Sequence, residues 1–139
     1  MGNLFKPPSL PNRVAFPLLL LRIVAGLAFM FHGFSKIQTP LTWMGPDAVV
    51  PSFFQAAAAA SEFVGGLCLI LGLLTPIAAF GIASTMAFAV WSHAIIWGQP
   101  FVGKSGSYEL ALVYFSLALL FLFAGPGRFS MDRLIFGEK

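Results

Sequence analysis

Charge is what this sequence has least of: Asp, Glu, Lys and Arg together make up 9% of its 139 residues. There is no block of like charge of the kind that holds a nucleic acid, so no nucleic-acid partner is expected. Cysteine is nearly absent as well. With Cys68 alone there is no intramolecular disulfide and no CxxC pair, which excludes disulfide relay by this chain acting alone. The sequence also lacks GxGxxG and an Fe–S ligand set, so electrons for any redox step have to come from a partner, a bound cofactor or the substrate. What fills the chain instead is apolar: 58% hydrophobic residues, 16 of them Phe. A soluble domain of this size cannot bury that much. At ~20 residues per span, the sequence predicts an all-α integral membrane four-helix bundle, a single transmembrane domain with short loops.

Residues 1–13 carry Pro7, Pro8 and Pro11 without helical periodicity and read as a short mobile lead-in. Lys6 stands where a myristoylation signal needs Ser or Thr, and the apolar run behind it is too long, and broken by Arg22, for a typical cleaved signal peptide; the segment is expected to stay attached. Helices are expected at about 15–35, 53–74, 77–97 and 108–124. The connection from Ile37 to Ser52, with Trp43 and three prolines, reads as an interfacial anchor in preference to a lid. Thr75 and Pro76 read as the cap and first position of the third helix, which makes a tight hairpin with the second. Arg128 and Asp132 in the tail read as a helix-end ion pair or a partner contact.

The run LRIVAGLAFMFHGFSK, Leu21 to Lys36, organises the rest. On a helical wheel Gly26, Phe29, Gly33 and Lys36 lie within ~40° of Arg22, and His32 lies ~80° to one side. A charge facing hydrocarbon costs several kcal/mol, so this face turns inward to the other helices. On the second helix Glu62 shares a face with Gly65 and Gly66, a groove of small residues that admits another backbone. Gly26, Gly33, Gly65 and Gly66 are therefore the packing glycines.

Lys6, Arg13, Arg128, Arg133 and Lys139 fall on the terminal side, against Lys36 and Lys104 opposite, so both termini are expected in the cytoplasm. At 1.5 Å per residue His32 and His93 then lie ~24 Å from the cytoplasmic side, Glu109 ~22 Å, Glu62 ~18 Å and Arg22 ~9 Å. One ionisable group from each helix converges in the outer half, with Lys36 just above and Arg22 reaching up toward Glu62. His32, His93, Glu62 and Glu109 are the catalytic candidates; Arg22, Lys36, Trp91 and Trp97 are the candidates for substrate contact.

Neutral imidazoles exchange hydrogen bonds with a quinone carbonyl, and a nearby carboxyl moves the accompanying proton, so a quinone or small redox substrate suits such a pocket. The same four groups are the ligands a metal would take, but no spacing such as HExxH brings them together, and no metal is predicted. A haem between His32 and His93 is a weaker reading again. In the structural alternative, Arg22 with Glu62, and Lys36 or His93 with Glu109, are ion pairs that only fix helix register. A His near the end of each hairpin's first helix and a Glu early in its second, His32 with Glu62 and His93 with Glu109, echo an internal duplication.

The runs RIVAGLAFMFHGFSK, SEFVGGLCLILGLLTPIAA, SGSYELALVYFSLALLF and GPGRFSMDRL, with the His93 region between them, resemble the DoxX family of small four-helix membrane proteins. The combined order of HGxxK, ExxGG, GxxT, a late-helix His, YE and GPGRxSxD carries the resemblance from about Arg22 to Leu134. It implies a multi-pass protein of a bacterial or archaeal cytoplasmic membrane. Members of that family include the small membrane subunit of a thiosulfate:quinone oxidoreductase, and others are linked to quinone or catechol oxidoreduction or to oxidative-stress complexes. The family pattern falls on Arg22, His32, Gly33, Lys36, Glu62, Gly65, Gly66, His93, Glu109 and Asp132, without assigning them roles. The reading that results is a membrane subunit of a quinone-linked redox system in the cytoplasmic membrane, with the bilayer, a soluble redox partner or second subunit, and a homo-oligomer as candidate partners. Its alternatives are a transporter or metal-handling protein using the same pocket, and a non-catalytic anchor.

Overall fold

Four apolar segments long enough to be helices must bury their few polar groups against one another, and they do so as an antiparallel bundle. A computed structural model describes residues 2–139. In order along the chain are α1 (Gly2–Phe5), α2 (Asn12–Gln38), α3 (Ser52–Leu71), α4 (Thr75–Trp91), α5 (Glu109–Ala124) and α6 (Met131–Phe136), with a π-helical turn over Ser92–Ile96 continuing α4. There is no strand among the described residues. α2, α3, and α4 with its π turn are each long and apolar enough to cross a bilayer, and α5 is a shorter apolar helix of 16 residues. The expected all-α membrane bundle is borne out.

α2 packs on α3, α3 on α4, and α4 on α5. The α2–α3 approach is set by glycine: a Cβ on Gly26 would fall 2.6 Å from the Gly66 carbonyl oxygen, and one on Gly66 would fall 2.7 Å from that of Gly26. Gly33 lies equally close to the Phe63 backbone, whereas Gly65 faces Ile82 of α4. Leu18, Phe29, Leu69, Ile82, Met86 and Phe121 fill the core between the helices. α2 and α5 share no comparable backbone packing; the rings of Phe29 and Tyr114, 4.8 Å apart, bridge them.

At the terminal end the chain is tied down where a mobile lead-in was expected. Phe5 stacks on Phe136 at 5.0 Å, Pro7 is buried, and the Lys139 N–H donates to the Pro7 carbonyl at 3.1 Å. Met1 lies outside the described residues.

The α3–α4 hairpin is tight, and Asp132 holds it. α3 ends on Gly72 in the left-handed region (φ +62°), and Leu74, also left-handed at φ +47°, precedes α4. A leucine rarely adopts that conformation, so the neighbouring structure has to impose it. Asp132 does this by accepting from the Leu74 N–H at 2.6 Å and the Thr75 N–H at 2.9 Å, while its own N–H donates to the Gly72 carbonyl at 2.8 Å. Two expectations are corrected here. Thr75 is not the cap, and its hydroxyl has no partner among the described residues. Asp132 is fully buried and does not pair with Arg128, which reaches the Asn12 side chain instead at 3.1 Å.

Candidate functional site

Every side chain on an α-helix leans back toward its own N-terminus, so residues on antiparallel neighbours lean toward each other when each lies C-terminal to its partner's level. Lys36, late in α2, leans down the bundle, and Glu62 on α3 leans up. They meet: Lys36 Nζ donates to both carboxylate oxygens of Glu62 at 2.7 Å. The Glu62 side chain is only 3% exposed and that of Lys36 23%. The buried carboxylate thus has its counter-charge, and the lysine keeps contact with the outside.

This pair forms one wall of a cavity of about 210 Å³ at the end of the bundle opposite the chain termini. His32 on α2, His93 in the π turn, and Tyr114 on α5 complete its polar lining, with Ser107 from the preceding loop; Phe29 and Met86 make the apolar floor. The His32 and Tyr114 rings meet edge to face at 6.2 Å. A cavity of ~150 Å³ already takes benzene, so this one suits a single substituted ring, with any longer chain left outside. Between α2 and α5 the cavity is closed by side chains, with the Phe29 and Tyr114 rings in contact.

Two glutamines organise the loops above the cavity. The Gln55 side chain, buried at the start of α3, accepts from the Met44 N–H at 3.2 Å and donates to the Val50 carbonyl at 2.8 Å, and the Gln55 main-chain carbonyl accepts from the Trp43 indole at 2.9 Å. This holds the Trp43 ring over Lys36 Nζ at 4.5 Å, a cation–π contact. The 39–51 connection is therefore fastened onto the ion pair, which an interfacial anchor does not require. Gln99 does the corresponding job on the other side, with its Oε1 2.6 Å from His93 Nδ1.

The structure brings His32, Lys36, Glu62 and His93 together and leaves four other candidates outside. Arg22, 1% exposed, does not reach Glu62. Leaning toward the start of α2, it donates instead to the carbonyls of Leu69 at 2.6 Å, Ile70 at 3.1 Å, Phe129 at 2.9 Å and Pro126, and so ties the C-terminal end of α3 to the tail. The negative end of a helix suits a guanidinium. Glu109 is the first residue of α5; it is exposed and does not line the cavity, although Ser107, Leu110 and Ala111 at the same level do, so it occupies another face of the helix start. Trp91 faces outward at 50% exposure, and Trp97 touches the site only through the edge of the His93 ring, at 4.6 Å between centroids. The ion pairs Arg22–Glu62 and Lys36 or His93 with Glu109 are thus replaced by Lys36–Glu62, and the His–Glu echo between the hairpins does not extend to the site. Among the described residues no three His, Cys, Asp or Glu side chains lie close enough to hold a metal ion.

Tyr114 and Gln99 were missed by the sequence reading. Tyr114 carried a signal, since a phenol in an otherwise apolar span needs a place for its hydroxyl. Gln99 carried none: six residues from His93, across a turn at Gly98, it shares no helical face with it.

A family model described as DoxX matches residues 17–94. An uncharacterised protein of Haemophilus influenzae is 36% identical over 121 residues, covering 86% of this chain and 90% of its own. CatD of Bacillus subtilis, which carries the provisional name of an oxidoreductase, is 32% identical over 87% of this chain and 88% of its own. An uncharacterised membrane protein of Mycobacterium tuberculosis is also 32% identical, over 81% and 77%. No solved structure matches the chain.

Proposed function

The chain belongs to the DoxX family, and from that premise we propose that it is the membrane part of a quinone-linked redox system of the cytoplasmic membrane, with its termini in the cytoplasm and its cavity in the outer half of the bilayer. The observation that carries the reading is the cavity itself, in which His32, His93 and Tyr114 and the Lys36–Glu62 pair ring an apolar floor sized for one aromatic head group. A lipid-dissolved ligand reaches it through the α2–α5 seam and leaves its isoprenoid tail among the acyl chains. The imidazoles and the phenol exchange hydrogen bonds with the two ring oxygens, and an imidazole takes or returns the proton that accompanies each electron. Glu62, already bonded to Lys36, sets the charge of the wall. The provisional name of the Bacillus subtilis relative is consistent with redox chemistry. Electrons come from or go to a second subunit, a soluble partner or a co-substrate, since the chain has no sequence motif for a redox centre of its own.

The test is organic extraction of the detergent-purified protein for bound quinone, with an absorption spectrum and elemental analysis on the same sample. Quinone that accompanies the wild type and is lost from His32→Ala and His93→Ala, while both variants still insert, is the expected result. Stoichiometric metal or a haem band would replace the proposal with a metal or haem site. Uptake of a solute lost in the same variants would make the chain a transporter, and loss of partner recovery alone would make it an anchor.

A further inference from the structure

Gln99 closes a small ring with His93. Its backbone N–H donates to the His93 carbonyl at 2.9 Å, and its side-chain Oε1 faces His93 Nδ1 at 2.6 Å. The π-helical turn makes this return possible: Trp97 donates to the Ser92 carbonyl five residues back at 3.0 Å, and Gly98 at φ +58° then reverses the chain. The amide nitrogen end of Gln99 lies against Gly106, where a Cβ would fall 2.6 Å from Nε2. Only glycine leaves room for the amide there.

An amide oxygen accepts and never donates, so the imidazole nitrogen facing it carries the hydrogen. A neutral imidazole has one N–H; with Nδ1 committed to Gln99, Nε2 is bare. His93 lines the cavity, and the strongest competing acceptor, the Glu62 carboxylate, already receives Lys36 on both oxygens. We infer that Gln99 is a positioning residue that locks His93 in its Nδ1–H form, so that Nε2 is left as a fixed acceptor and His93 favours a ligand presenting it a hydroxyl, the quinol over the quinone. This rests on the reading of the cavity as a quinone-head site and adds which redox form it holds.

The full chain, labelled with nitrogen-15 in histidine and held in detergent, tests the lock directly, because it has 2 histidines and His32→Ala assigns them. Proton–nitrogen correlations are expected to show His93 protonated at Nδ1 and bare at Nε2, and to lose that pattern in Gln99→Leu and in the closer-shaped Gln99→Met. A wild-type His93 protonated at Nε2, or spectra unchanged in both variants, overturns the lock. Titration with a short-tailed benzoquinone and with its quinol tests the selection: the wild type should prefer the quinol by about tenfold, the worth of one well-made hydrogen bond. Gln99→Glu holds His93 as an imidazolium that donates from both nitrogens, and should level or reverse the preference. Equal affinities in the wild type, or a preference unmoved in Gln99→Glu, overturns the selection. Binding of neither form overturns the quinone reading, and the nitrogen spectrum then decides the lock by itself.

Discussion

Removing Lys36 should harm this protein more than removing its partner. The Glu62 side chain is 3% exposed and both its oxygens are bonded to Lys36, whereas Lys36 is 23% exposed on a long flexible stem. Stranding a buried charge costs ~3–5 kcal/mol, and replacing both partners of a pair by matched neutral side chains costs far less. Lys36→Met leaves the carboxylate with no counter-charge and should lower stability by ~3 kcal/mol at pH 7. In Glu62→Gln the ammonium is able to swing outward to water, and the cost should be ~1 kcal/mol. The double variant Lys36→Met/Glu62→Gln should recover most of the Lys36→Met loss, giving a coupling of ~2 kcal/mol in a double-mutant cycle. The assay is reversible unfolding of the reconstituted protein by SDS in mixed micelles at pH 7, followed by tryptophan fluorescence. A Lys36→Met cost below ~1 kcal/mol at pH 7, or strictly additive single variants, would refute the assignment of the pair as buried and mutually dependent.

The same assay reads the hairpin latch: Asp132→Ala removes two charge-assisted hydrogen bonds to the Leu74 and Thr75 N–H groups and should cost ~2–4 kcal/mol, whereas Arg128→Ala at the exposed Asn12 contact should cost less than ~0.5 kcal/mol. Gly66→Ala places a Cβ 2.7 Å from the Gly26 carbonyl oxygen, a backbone atom that yields only if the helices part, so a loss of ~1–3 kcal/mol is expected, against a smaller one for Gly65→Ala, whose Cβ would come no closer than 3.4 Å, to the Ile82 side chain. Glu109→Gln, outside the cavity, should leave quinone recovery unchanged, while Tyr114→Phe should reduce it; extraction and quantitation of bound quinone checks both, and an equal loss in Glu109→Gln would move the site toward the α5 N-terminus.

The class of the protein was written in its composition. Four apolar segments with almost no charge leave only a membrane bundle as a way to satisfy the backbone, and the glycine and alanine stripes of α2 and α3 announced their close approach. The helical wheel also identified Lys36 and Glu62 as groups that lie between the helices, with His32, itself exposed, bordering the cavity beside them, because period and polarity together decide which face a helix turns to its neighbours. What the wheel lacks is direction along the axis. Arg22 and Lys36 share one face of α2, yet Arg22 leans to the terminal end and closes off the C-terminus of α3, while Lys36 leans onto Glu62. Both follow from the tilt of each side chain toward its own helix start, and from where the neighbouring helix ends, a fact of tertiary packing. Glu109 looked equivalent to Glu62 by depth and falls outside, while Leu110 and Ala111 beside it line the cavity, because depth says nothing of the face a residue occupies. The contacts made across turns were beyond any periodic reading: Asp132 reaches back 57 residues to cap α4, and Gln99 meets His93 only because the π turn and Gly98 fold the chain back on itself. The sequence by itself determined that polar groups would gather inside a membrane bundle, since hydrocarbon tolerates them nowhere else. Which of them meet was decided by helix ends and turns, whose geometry depends on residues distant in the chain.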